Sequence, residues 1–290
     1  MTQKFGRNFR ITIDPKDGGA PIIVTMPFTI RFWIQRSATS DTNPLSLDIY
    51  NLSAANRSRL YQDAWNQDTN AIKTIVVEMG YSTLYRVFSG VIHEMNSSRE
   101  GVDIVTRIEA YDNGSDIATT KTFQTLESGQ SIAAILGFLI GQFPNLTQGA
   151  IGNFPQIMQR PVTLNGSTWD LLKTYSNNKV YIDNGKIYVL NDNEVVGAQT
   201  YTVNSDTGLL ETPRRAEGTL SISMLLETGI DLFTQVKLES SINKLYNETY
   251  KVIGIRHEGT ISGAVNGRAV TTLTLNRPGK FGGFTQVTGQ

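Results

Sequence analysis

Two histidines occur in the chain, and each is followed by a glutamate, as His93-Glu94 and His257-Glu258. A histidine next to a carboxylate could bind a metal ion or exchange protons in catalysis. Successive side chains of a strand point to opposite faces, however, so the two members of such a pair would not hold the same ion. The interpretation we favour is a polar residue at the end of a hairpin, present twice because a domain is duplicated.

The other motifs that could carry chemistry are weak. Residues 112–116 (DNGSD) resemble the start of a calcium loop but lack the downstream glutamate, so we interpret them as a turn. The tryptophans Trp33, Trp65 and Trp169 could stack on sugars or bases, although packing in a core or an interface is their commoner use. Nucleophile-elbow and phosphate-loop motifs are absent from the sequence. We therefore predict no catalytic, cofactor-binding or metal-binding residues, no cofactor, and a protein that is not an enzyme.

Composition excludes further classes of protein. The chain has 290 residues and no cysteine, which excludes disulfide frameworks and thiolate sites and suits synthesis in a reducing compartment. Its 26 basic and 26 acidic residues balance, whereas proteins that bind nucleic acid usually carry a basic excess. The longest apolar run, residues 132–140, is too short to span a bilayer. We expect a soluble protein of two or three domains, with no targeting segment and no membrane insertion.

Short strands should position whatever the first region, residues 1–112, presents. Alternating apolar and polar residues are typical of half-buried strands. Ser53 before residues 54–60 predicts a short N-capped helix. Strands are predicted at residues 9–13, 28–32, 45–49, 74–79, 85–92 and 102–110.

The middle region, residues 113–200, has a different pattern. A helical apolar stripe runs through residues 128–142, and Ser167 begins a capping box for a second helix that ends at Tyr175. Asn184-Gly185 is a strong turn signal for a hairpin over residues 180–190. We predict a small α+β lobe in which the first helix packs on the hairpin residues Tyr181, Ile187 and Val189.

The third region, residues 201–290, returns to strands, and it parallels the first. Residues 85–94 match residues 250–258 after one gap, including the His-Glu pair. We predict a duplicated β domain with an insertion between the copies, so that His93 superimposes on or next to His257. The Gly-rich tail after Pro278 is expected to be frayed or ordered by a partner. Strands are predicted at residues 219–225, 235–238, 250–256 and 269–275.

An ordered set of sequence segments resembles the baseplate central hub proteins of contractile-tailed bacteriophages, which are relatives of the late control protein D family. Each segment alone is unspecific, but together they follow the family order over most of the chain. They lie at residues 47–53, 79–81, 87–92, 168–190, 205–215, 224–226 and 250–258.

This resemblance implies a mainly β fold with an α+β insertion. It would comprise two tandem tail-tube-like β-barrel domains, residues 1–112 and 201–290, flanking a small α+β lobe, residues 113–200. The implied function is that of a structural hub: a homotrimeric ring with pseudo-six-fold symmetry that joins the six-fold tail tube to the three-fold spike. The ring would surround the channel for the tape measure protein and, during ejection, for DNA.

The resemblance also implies the partners and the location. The partners would be further copies of the chain, the tail tube or tube-initiator protein, a spike protein, the tape measure protein and baseplate wedge proteins. DNA would pass through without specific binding. No spike or lysozyme domain follows residue 290, so the spike is expected to be a separate chain. The protein would reside in the virion tail baseplate after assembly in the host bacterial cytoplasm.

Three alternatives remain at the level of sequence. The chain could be another structural part of the tail, such as a distal-tail or tube protein. It could be a carbohydrate-binding adhesin module whose tryptophans line a sugar site. A peptidoglycan hydrolase is the enzymatic alternative, since 26 acidic residues offer many carboxylate pairs.

Overall fold

The computed structural model describes residues 4–61, 72–112, 114–197, 199–216, 218–264, 267–278 and 283–288. The first region contains β1 (Asn8–Asp14), β2 (Ile22–Thr25), β3 (Ile30–Ser37), β4 (Pro44–Tyr50), α1 (Ala54–Leu60), β5 (Thr74–Gly80), β6 (Leu84–Glu100) and β7 (Asp103–Tyr111). The middle region contains α2 (Gly114–Thr119), β8 (Lys121–Leu126), α3 (Ile132–Ile140), β9 (Thr147–Ile151), β10 (Val162–Ser167), α4 (Thr168–Tyr175), β11 (Val180–Asp183), β12 (Lys186–Val189) and β13 (Glu194–Val196). The third region contains β14 (Thr200–Val203), which begins at its boundary, β15 (Arg214–Ala216), β16 (Thr219–Leu225), β17 (Gln235–Leu238), a 3₁₀ turn (Lys244–Tyr246), β18 (Thr249–Ile261), β19 (Ala269–Asn276) and β20 (Thr285–Val287).

The fold is mainly β, as predicted, and the predicted local signals act where expected. Ser53 caps α1 by accepting a hydrogen bond from the Asn56 amide, and Ser167 caps α4 in the same way from the Asp170 amide. Asn184 and Gly185 both have positive φ, as the tight turn between β11 and β12 requires. These elements could be predicted because their causes lie within a few residues of sequence.

One sheet of thirteen strands runs through the first and third regions. Its main path is β15-β16-β19-β18-β3-β4-β7-β6-β5-β1-β2, and β17 and β14 continue from β18. The two regions meet where β3 pairs antiparallel with β18, from Ile30 opposite Ile261 to Ser37 opposite Gly254. We call the strands of the first region the first β unit and those of the third region the second β unit. Main-chain hydrogen bonds of a continuous ladder therefore join the two β units.

Three hydrophobic cores lie beneath this framework. The first is built from β1 to β7 and includes Phe9, Phe32 and Phe88, together with Leu226 and Ile261 from the third region. A second core lies under β16 to β19, and a third lies in the middle lobe between α3, α4 and the β11–β12 hairpin. Because β3 and β18 contribute to the sheet over both large cores, the β units share a wall while keeping separate interiors. The division of the chain at residues 112 and 200 stays a prediction.

The same strand order occurs twice in the sheet. Strands β5, β6, β7 and β4 lie side by side in the first copy, and β17, β18, β19 and β16 do so in the second, with every neighbouring pair antiparallel. The second strand of each copy has a bulge, at His93 in β6 and at Ile253 in β18. When the bulges are superimposed, buried residues coincide: Ile75 with Val236, Ile92 with Val252, Ile108 with Leu273, and Leu47 with Ile222.

The predicted register of this duplication is wrong. His93 corresponds to the bulge residue Ile253, and His257 corresponds to Ser97, so the two histidines do not superimpose. His93 is exposed, whereas His257 is fully buried. The interpretation of both histidines as hairpin-end residues is wrong, because His93 lies at a bulge in the middle of β6 and His257 lies within β18.

Two further expectations need correction. The tail after Pro278 is not frayed over residues 285–287, because β20 pairs parallel with β13. Tyr181 does not pack under α3 with Ile187 and Val189; it packs against Phe233 of the second core, with 5.1 Å between the ring centroids. Side chains of a strand alternate between its two faces, and Tyr181 therefore points away from its neighbours Val180 and Ile182, which lie in the middle core.

Candidate functional site

The most extensive functional candidate is the solvent face of the central sheet. Along six neighbouring strands, residues that are buried and mostly apolar alternate with residues that are mostly polar and at least partly exposed. The cross-strand pairing places the polar residues on one continuous face. Its members include Ser221, Ser223, Thr272, Thr274, Arg256, Glu258, Trp33, Gln35, Ser46, Asp48, Arg107 and Glu109.

Charges on this polar face are balanced. Arg31 and Arg107 lie on either side of Asp48, with shortest nitrogen–oxygen distances of 3.9 and 3.6 Å. Arg256 lies 3.4 Å from Glu258. Because these are exposed ion pairs, each contributes little to stability, about 0–1 kcal/mol. Their effect is on the surface potential, since a face with paired charges attracts neither polyanions nor polycations strongly.

Two shallow hollows lie in the polar face. The larger, of about 360 Å³, is lined by Gln35, Ser221, Arg256 and Thr272 with their neighbours. A second, of about 260 Å³, adds Glu211, Arg214 and Arg268. Throughout the described part of the chain, no three residues of the types His, Cys, Asp and Glu are grouped so that they could hold a metal ion. The geometry of this face fits a contact surface.

A buried ionic junction underlies the sheet where the three regions meet. Arg36 of β3 donates two hydrogen bonds to Asp183 of β11, of 2.7 and 2.6 Å, and one of 2.8 Å to Asp231. Only 1% of the Arg36 side chain is exposed. Burial opposes the charge on Arg36, but the two carboxylates outweigh burial and hold its pKa above the ordinary value. One side chain of the first region is thereby bound to the middle and third regions.

A second hydrogen-bonded arm extends the junction. The Asp112 carboxylate accepts hydrogen bonds from the Asn43 amide nitrogen and from Asn43 Nδ2, at 2.7 and 2.6 Å. Asn43 Nδ2 also donates to the Ile182 carbonyl oxygen at 3.0 Å. Burial raises the pKa of Asp112 to about 7, and the hydrogen bonds from Asn43 oppose this shift without cancelling it. The end of β7 is thus bound to the β11–β12 hairpin.

His257 lies in a second buried polar group, facing the interior of the sheet. Its Nδ1 is 2.9 Å from Thr271 Oγ1, which in turn bonds the main chain of Glu227. Among the described residues, His257 Nε2 has no hydrogen-bond partner. Burial, with a smaller contribution from Arg36, lowers the pKa of His257 to about 3. The imidazole is therefore neutral at physiological pH and fits a structural role.

Glu227 connects the start of the chain to the second β unit. Its Oε2 accepts a hydrogen bond of 2.6 Å from Tyr201 and lies 3.0 Å from Lys4 Nζ. Burial would raise the pKa of Glu227, but these hydrogen bonds and the Lys4 charge hold it below its ordinary value. The segment before β1 is consequently fixed against the third region.

The residues singled out in the sequence do not converge. His93 lies at the exposed bulge with its ring edge-to-face against Tyr111, at 5.7 Å between centroids. Trp169 is buried in the middle core, Trp33 is half-buried on the polar face, and Trp65 lies outside the described residues. In the range 112–116, helix α2 begins at Gly114, so the predicted turn holds at most its first residues.

Asp112 and Asp116 have separate partners. Asp116 accepts hydrogen bonds from Asn145, whereas Asp112 accepts them from Asn43. The likeness of residues 112–116 to the start of a calcium loop therefore has no counterpart in the geometry.

Among the described residues, no helix has the length and apolar character needed to cross a membrane.

A sequence model of the family described as "Baseplate hub gp41" matches residues 8–260, which cover the first β unit, the middle lobe and the second β unit as far as β18. This chain belongs to the baseplate hub gp41 family. The chain is therefore a structural part of a phage tail baseplate and a component of the virion tail. None of the curated proteins matches the chain.

Solved structures show that the hub fold is shared with other tail proteins. The 43 kDa tail protein of prophage MuSo2 from Shewanella oneidensis has 11% identity and a TM-score of 0.61, over 93% of this chain and 97% of that one. A tail protein from Neisseria meningitidis MC58 has 10% identity and a TM-score of 0.56, over 94% and 97%. The E. coli c3393 protein, titled a type VI secretion component similar to phage T4 tail proteins gp27 and gp5, has 7% identity and a TM-score of 0.56, over 89% and 76%. At these identities the likeness concerns the fold alone.

Sequence reasoning did not find Arg36, Asp183, Asp231 or Asp112. Arg36 and Asp183 are 147 residues apart, and no spacing pattern connects them. A signal was nevertheless present: Arg36 occupies an inward position in the alternating pattern of β3, where a charged residue is rare unless it is paired. Such a residue at a core position predicts a buried partner without identifying it.

Proposed function

We propose that this hub protein forms a homotrimeric ring at the centre of a tail baseplate, joining the six-fold tail tube to the three-fold spike. The observation that carries the proposal is the duplicated strand order fused into one sheet. Two similar units in each chain give six units in three chains, which supplies a surface of six-fold character for the tube. Closed cyclic symmetry also stops sheet edges from growing into filaments.

The polar face supports a place for this sheet at the channel wall. It runs over both β units, is rich in serine and threonine, and has paired charges. A wall that lets tape measure protein and DNA pass should not bind either tightly, and a net charge of zero for the whole chain fits this need. The protein then acts as a structural part and not as an enzyme.

The proposed partners follow from this place in the particle. One end of the ring would bind the tail tube or a tube-initiator protein, the other end a spike protein, and the outer surface baseplate wedge proteins. Assembly would take place in the bacterial cytoplasm before incorporation into the virion. One structural neighbour is described as similar to the phage T4 tail proteins gp27 and gp5, which supports partners among other tail proteins.

The carbohydrate-binding alternative has weaker support. Trp169 is 3% exposed and packs within the middle core, so it offers no stacking surface. Trp33 lies in the middle of a ladder, between Ser46 and Glu258 of the adjacent strands, with no second aromatic ring recorded against it. The tryptophans of the described residues therefore do not form a sugar-binding platform.

The proposal is tested by the mass and shape of the assembly. Light scattering coupled to size-exclusion chromatography should give three times the mass of the chain, and electron micrographs should show rings with a central channel. A stable monomer or dimer at roughly 50 µM chain would contradict a self-assembled trimer, because association is favoured as concentration rises.

A further inference from the structure

The duplicated units leave two strand edges whose counterparts are paired elsewhere in the same chain. Strand β3 is paired on both sides, with β4 and β18, but its counterpart β15 is paired only with β16 among the described strands. Strand β18 lies between β19 and β3 along residues 254–261. Its counterpart, residues 94–100 of β6, is paired only with β7 within the described chain. Each chain thus presents one open edge of each kind.

We propose that β15 of one chain pairs antiparallel with residues 94–100 of β6 in the next chain, repeating between chains the β3–β18 pairing seen within one. This inference rests on the proposed trimer and identifies the surface that closes it. Three such contacts alternate with three β3–β18 contacts and would close the sheet into one ring. The occupant of each open edge is therefore a second copy of this chain.

The duplication also gives the register of the contact. Ile34 of β3 and Arg215 of β15 are counterparts, because Ile34 lies opposite Leu45 and Arg215 lies opposite its equivalent, Leu220. Ile34 pairs with His257, whose counterpart is Ser97. Arg215 of one chain should consequently lie opposite Ser97 of the next.

The neighbouring position follows by the same correspondence. Trp33 pairs with Glu258 within the chain, and their counterparts are Arg214 and Ser98. Arg214 of one chain is thus expected directly opposite Ser98 of the next. The pairing should end at Pro213, because proline has no N–H to donate to the next strand.

Local chemistry agrees with this register. The side chain of Arg214 is 80% exposed and has a spare donor beside its ion pair with Glu211. Ser98 Oγ is shielded from solvent and has no hydrogen-bond partner among the described residues, and it would receive one opposite Arg214. Glu100 would lie diagonal to Arg214, near enough in a sheet for a favourable charge pair. A basic strand edge meets a segment in which two glutamates outnumber the single arginine, Arg99.

Disulfide trapping tests the register, and the cysteine-free chain provides a clean background. The test variant carries Arg214→Cys and Ser98→Cys. Directly opposite residues in an antiparallel pair have Cα atoms about 4.5–5.5 Å apart, which a disulfide spans. Mild oxidation of the full chain should yield covalent dimers and trimers on a denaturing gel, and reduction should return them to the monomer.

Two matched variants serve as controls. Arg214→Cys with Glu94→Cys keeps the strand and the face but moves the second thiol four residues along β6, about 13 Å, so covalent oligomers should be at least tenfold fewer. Gln35→Cys with Arg256→Cys lies across the β3–β18 pair within one chain and should form a disulfide without any increase in mass. The last variant shows that oxidation is complete.

The outcomes separate this inference from the proposed function. Wild-type trimers with register-specific trapping support both. If the wild type is trimeric but the Arg214→Cys/Ser98→Cys variant does not crosslink, or crosslinks no better than the shifted variant, the edge pairing is overturned and the hub proposal stands. If the wild type is not trimeric by light scattering and the Arg214→Cys/Ser98→Cys variant gives no covalent oligomers, both are overturned.

Discussion

At the scale of single residues, Arg36 is the side chain on which the joint between the three regions depends most. It is buried, and its guanidinium binds Asp183 bidentately and Asp231 once. Removing one partner of a buried pair leaves the other charge uncompensated, which costs about 3–5 kcal/mol. Arg36→Ala should therefore lower the free energy of unfolding by that order, measured by urea denaturation.

A surface pair provides the control for Arg36. Lys173 lies 2.8 Å from Asp41, with 31% and 60% of the two side chains exposed, against 1% for Arg36. Lys173→Ala should change the free energy of unfolding by less than about 1 kcal/mol. Equal effects of the Arg36 and Lys173 substitutions would show that the buried junction has no special role in stability.

Two buried titratable residues should give opposite pH dependences. The pKa of His257 is lowered from 6.5 to about 3, so between these pH values the unfolded chain binds a proton that the folded chain does not. The contribution of His257 to the free energy of unfolding therefore rises with pH across that window. The pKa of Asp112 is raised from 3.8 to about 7, so the folded chain binds the extra proton and stability falls as pH rises through that window. In the wild type the two effects oppose each other between pH 4 and 6.5.

Single variants should separate these effects. Relative to wild type, His257→Gln should be less costly at pH 4 than at pH 8, because the variant no longer requires a proton to be released on folding. Asp112→Asn should show the reverse, with a larger cost at pH 4 than at pH 8. Urea midpoints from pH 4 to 8 measure both. Parallel curves for wild type and a variant would show that the group concerned does not titrate with a shifted pKa.

Residue-scale features divide sharply by how far they could be predicted. Caps such as Ser53 and Ser167 follow from neighbours within four residues. The junction at Arg36 depends on residues brought together only by the complete fold. The His-Glu pairs misled because identical residues suggested a register, whereas the bulges and buried positions determine it.

At the scale of elements, two glycines allow a paired prediction. Gly259 in β18 has φ +148°, and a Cβ there would lie 2.2 Å from the Arg268 carbonyl oxygen. Gly137 in α3 has ordinary helical surroundings, with no atom closer than 3.6 Å to such a Cβ. Gly259→Ala should destabilise the chain by more than about 1 kcal/mol, whereas Gly137→Ala should be neutral or stabilise it by up to about 1 kcal/mol. Thermal unfolding of both variants provides the measurement, and a stabilised Gly259→Ala would contradict the close β18–β19 approach.

The open edge β15 gives a second prediction at this scale. Arg214→Glu with Arg215→Glu changes the net charge of each chain by −4. The new glutamates would lie at a contact expected to face Glu94 and Glu100. Each exposed charge pair contributes about 0.2–1 kcal/mol, and the trimer has three contacts, so its dissociation constant should rise at least tenfold. Arg160→Glu with Lys186→Glu makes the same charge change on exposed residues of the middle lobe and should leave the trimer intact. Equal effects in sedimentation would remove β15 from the interface.

Strands with a clear local signal were predicted, and several short strands without one were not. Strands β4, β16 and β19 have enough alternating residues to be recognised, whereas β3 was predicted at residues 28–32 and spans Ile30–Ser37. The short strand β17 was predicted at its observed place. Strands of three or four residues, such as β13, β15 and β20, form because a neighbouring segment offers main-chain partners, and they have little pattern of their own. The pairing of β20 with β13 connects the end of the chain to the middle region in a way that composition obscured.

At the scale of the whole molecule, the balance of charges predicts that the protein does not bind duplex DNA tightly. The chain has equal numbers of basic and acidic residues, and the polar face has its arginines beside carboxylates. Binding to duplex DNA is driven largely by release of counterions, which requires unpaired basic residues. At an ionic strength of about 0.15 M, fluorescence anisotropy should detect no binding of a 30-base-pair duplex at roughly 10 µM protein. Saturable, salt-dependent binding in that range would contradict a passive channel wall.

The duplication and the kind of particle could be predicted at this scale, since both depend on many residues in order. The continuous sheet could not, because the β3–β18 pairing joins segments more than two hundred residues apart. A sequence pattern shows that a strand has two edges but not which distant strand occupies each one.

The central claim is that two fused copies of one β unit make each chain a third of a pseudo-six-fold ring. Electron cryomicroscopy of the purified wild-type protein, reconstructed without imposed symmetry, tests it directly. We predict three-fold rings in which six similar β units surround one channel and the polar face of the sheet, with Arg107 and Arg256, lines it. Rings in which only one unit of each chain reaches the channel, or in which this face points outward, would contradict the claim.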